Sequence, residues 1–162
     1  MNTIGRHLIA EFYRCNKPVL DDCQAIELAM LQAAEKINAT VVGHCFHRYS
    51  PQGVSGTVLI AESHLSVHTW PEQAYAAVDI YTCGGLTHKL GFLHLGTVLQ
   101  AQSYCIQELI RGVPEDLPDD SQWREGDIHM GSRVTGPQPL SALHSFRELK
   151  AKAAIGAGRR QK

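Results

Sequence analysis

Residues 62–83, ESHLSVHTWPEQAYAAVDIYTC, decide how the chain folds. Two runs of β-forming residues, His64 to Trp70 and Tyr75 to Thr82, flank Pro71-Glu72-Gln73-Ala74, and turn residues between such runs predict a hairpin. With the turn centred near Glu72–Gln73, antiparallel residues stand opposite one another where their numbers sum to about 145. That register sets Cys83 across from Glu62–Ser63, at the open end of the hairpin. A carboxylate, a hydroxyl and a thiol then meet at one sheet edge, with His64 and His68 on the same strand. Alternation puts Ser63 and His68 on opposite faces of a regular strand, so a site using both needs a bulge or a break near Ser63.

Strand and helix segments alternate on either side of the hairpin. Val54 to Ala61 (VSGTVLIA) is apolar almost throughout, as expected of a strand covered on both faces. Ala39 to Tyr49 is a second strand, joined to it by the turn residues Ser50-Pro51-Gln52-Gly53. Gly5 to Tyr13 is another, and Tyr104 to Ile110 is the last. Leu20, Cys23, Ile26, Met30, Ala33, Ala34 and Ile37 have helical spacing, which predicts one amphipathic helix over Val19 to Ile37, packed on a sheet. Leu86 to Gln100 reads as a second helix, although Gly91 and Gly96 each cost about 1 kcal/mol relative to alanine in a helix interior.

Beyond Gly112 the texture changes. Residues 113–162 concentrate Pro, Gly and Asp with few large apolar side chains, too few to offset the entropy of ordering. The chain therefore divides into a folded domain, 1–112, and an extension, 113–162, expected to stay mobile apart from a short helix over Pro139 to Ile155. Its basic end, GAGRRQK, reads as a solvated tail.

Composition narrows the function classes. Fifteen basic and sixteen acidic residues leave a formal charge of −1, which gives no electrostatic reason to expect nucleic acid or an anionic membrane as partner. No apolar run is long enough to span a bilayer, and the N-terminus lacks a signal-peptide layout. Five scattered cysteines without a C-x-x-C pair read as reduced thiols, which suggests a cytoplasmic protein.

Residue types alone point no further than a nucleophile site. A cysteine ending a strand is more often core than reactive, and strand histidines are more often hydrogen-bonded filler. His44 and His47 with His64 and His68 could be read as a zinc set, but their spacing suits neither a helical H-E-x-x-H site nor a zinc finger. A serine hydrolase needs a G-x-S-x-G elbow, and Gly53-Val54-Ser55-Gly56 fails on spacing.

The run from Glu62 through Glu72, followed by Tyr75 to Gly84, resembles the prokaryotic S-adenosylmethionine decarboxylase proenzymes. Gly5-Arg6-His7-Leu8, Glu11-Phe12-Tyr13, Phe46-His47-Arg48 and Gly53-Val54-Ser55-Gly56 extend the resemblance over roughly residues 1 to 112. It implies an α+β fold: a two-layer sandwich of an antiparallel sheet with helices on one face, its sheets paired in a homodimer so that sites lie between protomers. It also implies self-cleavage between Glu62 and Ser63. The Ser63 hydroxyl attacks the Glu62 carbonyl and shifts the acyl group from N to O, a base removes the Ser63 α-proton, the ester is eliminated, and water hydrolyses the resulting enamine to a pyruvoyl group with loss of ammonia. The products are a β chain, 1–62, and an α chain starting at 63.

Carried over residue by residue, His68 matches the processing base and Ser55 a serine that assists processing by donating to the oxyanion-like intermediate. Cys83 matches the proton donor of catalysis, in which the pyruvoyl ketone condenses with the substrate amine and accepts the electrons released with carbon dioxide. Tyr49, where the family usually has Phe, and Trp70 offer aromatic faces to an adenine ring, and Glu72 offers a carboxylate to the ribose hydroxyls or sulfonium. No metal is implied. The expected activity is decarboxylation of S-adenosylmethionine for spermidine synthesis. Two rivals are the same mechanism acting on arginine or ornithine, and a non-enzymatic regulatory homologue. His64 has no assigned role beyond a structural one.

Overall fold

From Ser63 opposite Thr82 to Trp70 opposite Tyr75, strands β4 (Ser63–Trp70) and β5 (Tyr75–Thr82) keep one register. It is the register expected from the hairpin, closed by a 3-10 turn over Pro71–Gln73. The computed structural model describes residues 4–83, 88–112, 133–134 and 138–139. Its other long strands are β1 (Gly5–Tyr13), β2 (Thr40–Arg48), β3 (Val54–Ala61) and β6 (Ser103–Arg111). All pair antiparallel in the order β2-β3-β4-β5-β1-β6.

The helices lie on one face. The single helix expected over Val19 to Ile37 is two: α1 (Lys17–Leu20) and α2 (Cys23–Lys36). Asp22 divides them, because its carboxylate accepts from the Ala25 amide at 3.0 Å and so caps a new helix start. Helix α3 (His88–Val98) packs on α2 and over β1. The two glycines that weakened its prediction fall on its buried side. A methyl at Gly91 would stand 2.9 Å from Ile37 Cγ2, so glycine here permits the close approach of α3 to the end of α2. The core between the layers includes Leu8, Phe12, Ile26, Met30, Ile37, Val58, Leu65, Val78, Ile80, Phe92 and Leu95, each 3 % exposed or less.

Among the described residues no helix lies over the opposite sheet face. Within one chain β3 is covered on one face: Val54, Val58 and Ile60 are buried while Leu59 is 51 % exposed. The open face carries His7, Glu11, Tyr13, Ser55, Leu59, His64, Ser66, His68, Trp70, Tyr75, Asp79 and Tyr81, as alternation from the buried set requires.

Part of the extension joins the sheet. Strands β7 (Arg133–Val134) and β8 (Gln138–Pro139) both pair with β6. Pro139, expected to begin a helix, is in a strand; the rest of that segment, with residues 113–132, lies outside the described residues.

Candidate active site

Ser63 opens β4 directly after a two-residue connection, with Ile60 opposite it on β3 and Thr82 opposite it on β5. Its φ of 135° lies in the region that favours glycine, where a residue with a Cβ costs about 1–3 kcal/mol. This is the backbone break expected near Ser63. Thr82 points into the core, where its hydroxyl is hydrogen-bonded to His88 Nε2 at 2.5 Å, both side chains buried. That contact ties the end of β5 to the first turn of α3 and fixes where the next residue, Cys83, leaves the sheet. Cys83 is half-buried, one residue beyond the end of β5 and two from Tyr81.

The other expected residues gather elsewhere. Ser55 stands opposite His68 across β3 and β4, with its Oγ 2.7 Å from His68 Nδ1 on the open face. Trp70 lies beyond His68, stacked on Tyr75 with ring centroids 5.1 Å apart, and Tyr75 stacks in turn on Tyr13 at 5.7 Å. Glu72 accepts from Gln52 at 3.0 Å, which links the β4–β5 turn to the β2–β3 turn. Tyr49, exposed beside that second turn, has His47 edge-on at 4.8 Å.

Two half-sites result. Ser63 and Cys83 occupy one end of the hairpin, whereas Ser55, His68, Trp70, Glu72 and Tyr49 occupy the other. Four residues of regular β4 lie between Ser63 and His68, five steps that span about 16 Å at the rise of an extended strand. The break at Ser63 therefore does not bring His68 to it, contrary to the single-site expectation, because the strand between them has no bulge in its pairing with β3 or β5.

Thr69 shows how the second half-site is held. It faces inward between His68 and Trp70, accepts from the Val54 amide at 2.7 Å and donates to the Leu20 carbonyl at 2.7 Å. Arg48 and Asp21 pair at 2.5 Å at the same end, and the guanidinium holds the Asp21 carboxyl below its ordinary range. His64 lies on the open face near His7 and Tyr81, at 6.4 and 5.9 Å between ring centroids. Burial lowers the pKa of His7 against the opposing pull of Asp79, whose carboxylate is 3.6 Å away. Sequence reasoning passed over Gly5, Gln52, Thr69, Tyr81 and His88. Alternation could have found Thr69 and Tyr81, whereas the Gln52 and His88 contacts join residues that no period relates.

Comparison with known proteins bears on the family and the fold. Residues 6–112 match the family model for S-adenosylmethionine decarboxylase. Proteins named S-adenosylmethionine decarboxylase proenzyme are 48% identical in Thermosipho melanesiensis and 50% in Thermotoga petrophila, each over 73% of this chain and 96% of the relative. The crystal structure of the adenosylmethionine decarboxylase from Aquifex aeolicus superposes with a TM-score of 0.66 at 31% identity, over 74% of this chain and 99% of that one.

Proposed function

The chain belongs to the S-adenosylmethionine decarboxylase family and decarboxylates S-adenosylmethionine for polyamine synthesis from a self-cut proenzyme; we propose that the cut falls between Glu62 and Ser63 and that each active site is shared by two protomers. The separation of the two half-sites carries the second claim. His68 is about 16 Å along the strand from the Ser63 of its own chain and on the other face, so it can act only on a Ser63 brought to it by another copy. The uncovered sheet face supports pairing of two such sheets in a homodimer.

Residue 63 fits conversion to a pyruvoyl group. Conversion makes the Ser63 α-carbon planar and breaks its bond to nitrogen, so the φ of 135° that strains serine no longer exists in the product. The ketone supplies the electron sink that decarboxylation requires. Ser55 was expected to donate to the oxyanion of processing, and its contact with His68 Nδ1 favours a different assistance. With Nδ1 engaged by Ser55, His68 presents Nε2 as the base for the other protomer's Ser63 α-proton. Cys83, beside its own Ser63, delivers a proton to the substrate carbon that loses carbon dioxide. Trp70 and Tyr49 offer stacking surfaces for adenine, and Glu72 offers an acceptor for the ribose. Five cysteines scattered without a C-x-x-C pair support a cytoplasmic location.

Co-production of a Ser63→Ala chain with a His68→Ala chain tests the shared site. A mixed dimer contains one complete site, made of Ser63 from the second chain and His68 from the first. Cleavage of the His68→Ala chain in the mixture, but not alone, is expected; no cleavage in mixed dimers isolated by two tags overturns the sharing. Carbon dioxide release from S-adenosylmethionine, and none from arginine or ornithine, is expected of the processed protein.

A further inference from the structure

Tyr81 and Cys83 sit two apart at the end of β5, so both lean toward the open face. Continuing the β1–β5 register from Arg6 opposite Thr82 sets Gly5 opposite Cys83. A methyl built on Gly5 would lie 2.5 Å from Tyr81 Cε2 and 2.6 Å from its hydroxyl oxygen. The phenol thus occupies the slot that a side chain at position 5 would fill, across from Cys83 in the extended register. Arg111, paired with Gly5 on β6, covers the ring with its guanidinium 4.7 Å from the centroid. His7 closes one side at 5.6 Å between centroids and His64 another at 5.9 Å. The ring is therefore held on several sides with its hydroxyl in the Gly5 slot.

We propose that Tyr81, seated on Gly5, is the positioning residue of Cys83: its hydroxyl donates to the thiol sulfur, leaves the S–H free to face the substrate carbon, and stabilises the thiolate left after proton delivery. The proposal rests on Cys83 being the proton donor. The proton passes from Sγ to the carbon, the electron pair stays on sulfur, and solvent returns the proton before the next turnover. The hydrogen bond to Cys83 is the leading cause that raises the Tyr81 phenol above its ordinary range, in keeping with a hydroxyl that keeps its proton while donating it. The same arrangement gives His64 a use, as one wall of the phenol's seat.

The test is the pH dependence of Cys83 alkylation by iodoacetamide, followed by peptide mass in uncut Ser63→Ala protein so that no processed group is required. Tyr81→Phe keeps the ring and removes the donor. It should slow alkylation below the midpoint about tenfold, an upward shift of about one pH unit for loss of a hydrogen bond to a charged sulfur. Gly5→Ala should produce the same shift by evicting the phenol. With Ser63 present, Tyr81→Phe should still be cut into two chains and lose kcat with KM little changed. An unchanged or lowered alkylation midpoint in Tyr81→Phe overturns the proposal, whatever its activity. A wild type that never cuts would instead count against the proenzyme reading and leave the alkylation result standing.

Discussion

Replacing Thr69 by Val should destabilise the domain far more than its small change in shape suggests. The Thr69 hydroxyl, on a side chain only 6 % exposed, satisfies the Val54 amide and the Leu20 carbonyl at 2.7 Å each. Valine matches the shape and removes both partnerships. An unsatisfied buried polar group costs about 1–3 kcal/mol, and the added methyl returns less than about 1 kcal/mol, so the net loss is about 2–3 kcal/mol. Urea unfolding of the protein in a Ser63→Ala background, a single chain suited to two-state treatment, should lose about 1 M from its midpoint with unchanged slope. Thr69→Ser keeps the hydroxyl and should lose about half as much. Because Thr69 sits between His68 and Trp70, the same change should slow self-cleavage in the Ser63 parent. A Thr69→Val midpoint within about 0.2 M of the parent, or a serine variant as unstable as the valine one, would refute the reasoning.

Other consequences are as direct. Ser55→Ala removes the contact that orients His68 and should slow self-cleavage about tenfold, the equivalent of one ordinary hydrogen bond, in a time course on denaturing gels. Cys83→Ala should still cut yet lose about 100-fold or more in kcat, the usual worth of a positioned acid, measured by carbon dioxide release. Burial lowers the pKa of both His7 and His94, so the unfolded chain takes up protons that the folded chain refuses as pH falls below about 6.5. Stability from these two groups is full above that pH and declines below it. Urea midpoints should therefore fall between pH 7.5 and 5.5, and less so in a His7→Gln, His94→Gln variant.

The sheet was legible because its signals are local and periodic. The hairpin register followed from turn residues alone, and Gly5–Tyr13 has the bounds that its β-formers suggested. The division of the first helix was missed because apolar spacing runs through Asp22, whereas the cap depends on one carboxylate meeting one amide. The apolar run of β3 signals cover on both faces but does not reveal whether the second cover comes from its own chain or from another. The candidate residues were legible as types, and Cys83 was set beside Ser63 by counting. Their division into two ends was implicit in the same count, since His68, five strand positions from Ser63 at the open end, cannot return to it. The parity conflict between Ser63 and His68 was the visible sign, and a second protomer resolves it where a bulge does not.

Mass spectrometry of the purified, untreated protein tests the central claim most directly. Two chains are expected, 1–62 ending in an intact Glu62 carboxylate and 63–162 beginning with a pyruvoyl group in place of Ser63. Ser63→Ala should yield one chain under the same conditions. A single full-length mass for the wild type, or a cut at any other bond, would contradict the account.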